Sequence, residues 1–231
     1  MDKKSLVVSI IAVLLSFVGG FLLANALNKR ELDQLRSENA RLQSENRKLT
    51  ISDEEIQAKL AEADRRTDDF NFQKSLGIAL YRYSIISQES KYLPDVFRLL
   101  ERANSSNPDD FETLIALADV SFDLGQVKKD NLYYEKARKF YQEALKLRPK
   151  DADIQNSIGV TYLLSEPPNY EKAITEFQKA LKINPNHEKS LENLIRAYTT
   201  QGRNEEAEEA KNKLKQINPE NQILKELDKP R

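Results

Sequence analysis

The chain has 231 residues, 32% of them charged and 39% hydrophobic, and a formal net charge of -1. So polar a composition excludes a polytopic membrane protein, and so balanced a charge excludes a general nucleic-acid binder, which needs a basic face to neutralise phosphates. The absence of cysteine excludes disulfides, thiol chemistry and lipoprotein acylation, and six glycines leave little room for long loops.

Residues 1–5 form a short tail carrying Asp2, Lys3 and Lys4. Residues 6–27 then hold no charge, and about 20 residues in a helix suffice to cross the hydrocarbon core, so this stretch reads as a transmembrane helix and signal anchor. A cleaved signal peptide ending near Ala24, Asn25 and Ala26 is the rival reading; the continuation of the apolar run through Phe21, Leu22 and Leu23 favours the anchor. Ala12, Ser16, Gly20 and Ala24 form a small-residue stripe of the kind that lets helices pack in lipid. Basic residues bracket the span, with Lys3 and Lys4 before it and Lys29 and Arg30 after it. The expected placement is a single-pass protein of a bacterial inner membrane with the repeats on the extracytoplasmic side. Cytoplasmic repeats, or a cleaved and exported soluble chain, are the alternatives.

Residues 28–50 nearly repeat every seven positions. Leu35, Leu42 and Leu49 form one seam row and Leu32, Asn39 and Asn46 the other, the pattern of a short coiled coil. Seam asparagines favour paired, in-register helices, so a parallel homodimer is expected, with a trimer as the competing assembly. A shared membrane raises the effective concentration of the partner segments. Residues 51–69 follow as a helical linker: Ser52 and Glu55 fit a capping box, a helix runs from about Asp53 to Arg66, and Asp68 and Asp69 break it, giving a jointed stalk.

Beyond residue 70 the apolar residues recur at helical spacing and four prolines punctuate the chain: Pro108, Pro149, Pro185 and Pro219. The last three each close one pattern: Ala137, Tyr141, Ala144, Leu147; then Ala173, Phe177, Ala180, Ile183; then Ala207, Lys211, Leu214, Ile217. Alanine lets a neighbouring helix approach, the aromatic fills the space beside it, and proline cannot continue the helix. Upstream of each lies a second amphipathic helix, marked by Leu114, Leu117, Ala118 and Phe122, by Ile154, Ile158, Gly159 and Tyr162, and by Leu191, Leu194, Ala197 and Tyr198.

This helix, turn, helix, proline unit resembles the tetratricopeptide repeat. Three copies span 111–150, 152–186 and 188–220. A divergent one covers 70–108 through Leu76, Gly77, Leu80, Val96, Leu100 and Ala103. Residues 221–231 carry Ile223, Leu224 and Leu227 for a capping helix and tail. The chain departs from the family pattern in having no tryptophan, in placing Lys211 where an aromatic is usual, and in extra residues around 84–92, 127–133 and 166–168, which would lengthen helices or bulge turns. The resemblance implies an all-α, α-α superhelix of about four helix pairs.

It also implies a concave peptide-binding groove on the first helix of each pair. Carried onto matching positions, that groove comprises Asn71, Lys74, Ile78 and Tyr81, then Glu112, Ile115, Asp119 and Phe122, then Asp153, Asn156, Val160 and Leu163, then Lys189, Glu192, Asn193 and Arg196. One family subclass clamps the C-terminal carboxylate of cytosolic chaperones with lysine, asparagine and arginine. Ile78, Ala116 and Asp153 at three of those positions argue against that partner. Signals for chemistry are sparse: His187 is expected in an exposed turn without partners for a metal, no phosphate loop is present, and acidic runs such as Glu205 to Glu209 suit a solvated face. No enzyme, cofactor or small-molecule substrate is expected. The expected function is a membrane-anchored interaction scaffold that recruits client or assembly proteins. The alternative is a permanent structural or regulatory subunit of a membrane biogenesis or secretion complex.

Overall fold

A computed structural model describes residues 51–227. The expected anchor at 6–27 and the seam of Leu32, Leu35, Asn39, Leu42, Asn46 and Leu49 lie outside those residues. Among the described residues, no helix is long and apolar enough to cross a membrane. All regular structure there is helical: α1 Asp53–Arg65, α2 Phe70–Ser87, a 3-10 turn Ser90–Tyr92, α3 Leu93–Ser106, α4 Phe111–Lys128, α5 Asn131–Leu147, α6 Ala152–Leu163, α7 Tyr170–Ile183, α8 Glu188–Thr200, α9 Asn204–Ile217 and α10 Gln222–Leu227.

Contacts divide the chain into two units, Met1–Gln57 and Ala58–Arg231. In the first, the capping box is formed: Ser52 N–H donates to Glu55 Oε2 at 2.9 Å and Glu55 N–H to Ser52 Oγ at 3.2 Å, satisfying two free amides at the start of α1.

The second unit is a stack of helix pairs. Consecutive helices from α2 to α9 pack on one another, and the first helices also meet across pairs, α2 with α4 and α6 with α8. The end of the expected jointed stalk is tied down. Leu60 and Ala63 are buried, the Gln73 amide donates to the carbonyls of Ala63 at 2.7 Å and Arg66 at 2.8 Å, and Asp64 accepts from Arg98 and Arg102.

Each proline ends its helix in the same way. A proline clashes with a helical conformation of the residue before it and pushes that residue toward extended backbone. Asn107, Arg148, Asn184 and Asn218 accordingly lie at φ/ψ of -143/88, -130/79, -129/100 and -145/87 degrees. Their amides still close the last helical bonds, at 2.8 to 2.9 Å. The new helices start on side-chain caps: Asp69, Asp110, Asp130, Asp151, Asn169 and His187 each accept from a backbone amide in the first turn.

Between these stops the repeating alanines and aromatics form the core. Ala103, Ala137, Ala144, Ala173 and Ala180 are wholly buried, as is Phe177, with Tyr141 close behind. Leu147, placed by its spacing on the same face, is instead exposed at the helix end. At Lys211, the missing aromatic leaves a half-buried stem whose ammonium pairs with Glu208. Ile223 and Leu224 of α10 close the far end of the core, and buried Asn221 holds that cap by donating to Glu188 and Glu192 at 3.0 and 2.8 Å.

The first two insertions lengthen helices: α2 and α4 have 18 residues each, against 12 in α6 and 13 in α8. Both long helices end on a left-handed residue other than glycine, Gln88 at φ 57° and Lys129 at φ 51°. A Cβ is disfavoured there, so Lys129→Gly is expected to raise stability by about 0.5 kcal/mol in urea unfolding, an effect that Lys129→Ala should lack. The third insertion becomes a loop, which Asn131 clasps by accepting from Glu166 N–H at 2.9 Å and donating to its carbonyl at 2.7 Å.

Candidate functional site

Two adjoining clefts open on the face built by the first helices of the first three pairs. The larger, about 530 Å³, lies between α2 and α4 over Ile78, Ile115 and Ala116, with Tyr81, Glu112 and Asp119 on its walls and Arg82 and Arg148 at its edges. Arg148 stacks over Phe111, 3.6 Å from the ring centre. The second, about 270 Å³, shares Tyr81 and Asp119 and adds Phe122, Asp123, Tyr141, Ser157 and Val160.

The shared wall carries an unusual charge arrangement. Asp119 and Asp123 lie one helical turn apart on α4, within its mostly apolar stretch from Leu114 to Leu124, and both are half-buried. Tyr141 Oη donates to Asp119 Oδ1 at 2.6 Å, and Tyr81 Oη to Asp123 Oδ2 at 2.8 Å. Burial pushes the Asp119 carboxyl above the ordinary aspartate range, against the Tyr141 hydrogen bond, and the charge of Asp123 adds to the push. Burial also raises Asp123, opposed by its bond from Tyr81. The phenols themselves are driven far above their usual range, first by burial and then by the adjacent carboxylates, which keeps them as donors. Among the described residues, no lysine, arginine or histidine contributes to the balance at either carboxylate.

Of the sixteen positions carried over from the repeat family, Ile78, Tyr81, Glu112, Ile115, Asp119, Phe122 and Val160 line these clefts. Phe122 also packs edge-on against Tyr134, with ring centres 5.9 Å apart, so it holds α4 to α5 as well as facing the cleft. The others go elsewhere. Asn71 is exposed, and Lys74 is held by Asp110 at 2.8 Å and Glu112 at 3.0 Å. Leu163 packs on the C-terminal core. Glu192 and Arg196 border the capping segment, Glu192 accepting from Asn221 and Arg196 facing Glu226 at 3.9 Å. Asp123, Tyr141, Arg82, Arg148 and Phe111 were not singled out by the family mapping. The four-residue spacing of two aspartates on an apolar helix was a signal for the first of them.

The remaining mapped residues, Asp153, Asn156, Lys189 and Asn193, join a network around His187 that ties α6 to α8. His187 is buried rather than exposed as expected. Its Nδ1 accepts from Ser190 N–H at 3.3 Å and lies 2.8 Å from Ser190 Oγ, while Nε2 lies 3.3 Å from Asp153 Oδ1. Lys189 reaches the same Asp153 oxygen at 3.4 Å. Asn156 Oδ1 accepts from Ser190 Oγ at 3.1 Å and Asn193 Nδ2 at 3.0 Å. Serine, histidine and aspartate in series evoke a nucleophilic triad, but Ser190 has no exposed surface for a substrate to reach. Helix capping accounts for the geometry: Nδ1 accepts from the first turn of α8 while Nε2 faces Asp153.

Residues 133–165 match the family model described as TPR repeat, and 169–227 the model described as Tetratricopeptide repeat. No curated protein matches the chain significantly in sequence. Among solved structures, a crystal structure of MamA is 18% identical over 71% of this chain and 86% of its own, with a TM-score of 0.56. MamA from Desulfovibrio magneticus RS-1 is 18% identical over 76% and 87%, at 0.53. MamA AMB-1 is 24% identical over 71% and 80%, at 0.51. The chain carries tetratricopeptide repeats at 133–165 and 169–227, in an all-α helical repeat fold shared with these structures.

Proposed function

We propose that the protein is an interaction scaffold whose clefts on α2, α4 and α6 receive a segment of a partner protein. The observation that carries this reading is the cleft floor, where Ile78 and Ile115 leave apolar surface partly exposed above buried Ala116 on helices whose opposite sides are already packed in the core.

The proposal includes a single-pass anchor at 6–27, a bacterial inner-membrane location with extracytoplasmic repeats, and pairing through Leu35, Leu42 and Leu49, all of which rest on sequence pattern. Two grooves on one dimer would bind a bivalent partner more tightly than either alone. Exchangeable recruitment is favoured over permanent incorporation because the cleft walls mix Arg82, Arg148, Glu112 and Asp119 around a modest apolar floor, whereas obligate interfaces are more uniformly apolar.

Crosslinking and mass spectrometry of the detergent-extracted full chain test the reading. Ile78→Ser with Ile115→Ser is expected to lower partner recovery about tenfold while leaving the melting curve near wild type, since neither side chain is fully buried. Full recovery of the same partners, at fixed stoichiometry through salt washing, would show a permanent subunit docked elsewhere.

A further inference from the structure

The geometry points to a partner segment that places a lysine or arginine side chain between Asp119 and Asp123, beside an apolar residue seated on Ile78 and Ile115. This inference rests on the groove reading above and names the chemistry of what the groove accepts.

Three observations support it. The two carboxylates line one cavity of about 270 Å³ that adjoins the apolar cleft, so a single extended segment can reach both. Their hydrogen-bonding capacity is only partly used: each carboxylate can accept several bonds, and Asp119 takes one from Tyr141 while Asp123 takes one from Tyr81. They also sit among Phe122, Val160 and the two tyrosines, which strip water from charge without supplying a counter-ion. Two other carboxylates that bridge helices meet cations: Asp64 has Arg98 and Arg102, and Asp110 has Lys74. At Asp119 and Asp123 no cation is supplied among the described residues.

The charged groups around the cavity define the fit. Tyr81 comes from α2, Tyr141 from α5 and Ser157 from α6, none of them cationic at neutral pH. Arg82 and Arg148 stand at the edges of the adjoining cleft. An incoming ammonium or guanidinium would replace water lost on docking with charge-assisted hydrogen bonds, shielded from bulk solvent by the ring of Phe122. A wholly acidic segment meets repulsion at the cavity, and a wholly apolar one leaves both carboxylates buried without a counter-ion.

A random peptide library displayed on phage, panned against the detergent-solubilised full chain, tests this. Three targets are used: wild type, Asp119→Asn/Asp123→Asn, and Ile78→Ser/Ile115→Ser. Asparagine can still accept from each tyrosine, and circular dichroism of each target verifies the fold. Expected is enrichment on wild type of sequences with lysine or arginine next to an apolar residue, bound about tenfold or more weakly by the asparagine variant. Enrichment of acidic or uncharged sequences, or of basic ones bound equally by the asparagine variant, overturns the basic-residue inference. If that binding is still lost with Ile78→Ser/Ile115→Ser, the groove reading survives alone. No enrichment on any target overturns both, as does a wild type whose groove is filled by a second copy, shown by Ile78→Ser/Ile115→Ser sedimenting at half the mass.

Discussion

Phe177→Ala is expected to destabilise the C-terminal half of the stack by about 3–5 kcal/mol, the largest effect of any single substitution proposed for this chain. Phe177 is wholly buried, and its cluster extends from Ala173 and Ile174 through Leu191, Leu194 and Ile195 to Ile223 of the cap. Removing the ring leaves a cavity that helices on both sides cannot close without shifting their backbones. Repeat stacks are stabilised pair by pair through their interfaces, so the loss should appear as an early transition in urea, with amide exchange accelerated in α6 to α9 before α2 to α5. Gly159 approaches the same contact from the other helix. A Cβ there would come within 2.6 Å of Phe177 Cδ1, a ring that is wholly buried. Gly159→Ala should therefore weaken the same transition through overpacking, by about 1–3 kcal/mol. At Gly77 the added methyl would meet Leu100 less deeply, at 2.9 Å, so Gly77→Ala should cost less.

Asp119→Asn/Asp123→Asn is expected to stabilise the protein at neutral pH, by about 2 kcal/mol for the pair. Linkage fixes the sign. Burial raises both carboxyls in the folded state, so folding favours their protonated forms. Their contribution is then most favourable below the unfolded aspartate value of about 4 and falls as pH rises through the elevated folded values. Asparagine carries no proton to lose and keeps the tyrosine bonds. Urea unfolding of the two proteins at pH 7.5 and at pH 4 measures the difference directly: a large gap in favour of the variant at the higher pH, shrinking at the lower, is expected. Equal stability, or a gap that does not change with pH, would mean that the carboxylates are adequately solvated. A stabilising substitution that also weakens binding is the signature of groups kept for function at the expense of the fold.

The helical stack was legible in the sequence because each of its signals has a local cause. Proline disfavours helix at the residue before it, aspartate and asparagine cap the next helix, and alanine with an aromatic at four- and three-residue steps defines one buried stripe. The same locality explains the misses. Leu147 continues the stripe by spacing alone, but it falls in the last turn, where no neighbouring helix covers it. His187 is polar and sits in a turn, which reads as exposed. Its burial depends on Asp153 and Ser190, the former 34 residues earlier in the chain, and no periodicity reports such a contact. The linker after Leu60 reads as a stalk because its tethers, Gln73, Arg98 and Arg102, lie on later helices.

The clefts were legible in outline. Positions mapped on α2 and α4 converge, because the first helices of those pairs have their inward residues free. Those on α8 are drawn into the capping segment and into the network around His187. What the mapping lacked was the second layer. Tyr141 belongs to the core stripe of α5, yet its hydroxyl reaches through to Asp119 and makes a packing residue part of the cleft.

The central claim is that partners dock on the face of α2, α4 and α6. Its most direct test places a photoreactive amino acid at Ile115, on the cleft floor, and in a second protein at Lys139, an exposed position on α5, followed by irradiation of intact cells producing each full-length chain. The account predicts discrete partner crosslinks from position 115 that disappear when Ile78→Ser is added, and none of the same partners from position 139. Crosslinks of the same partners from 139 and not from 115 would contradict it.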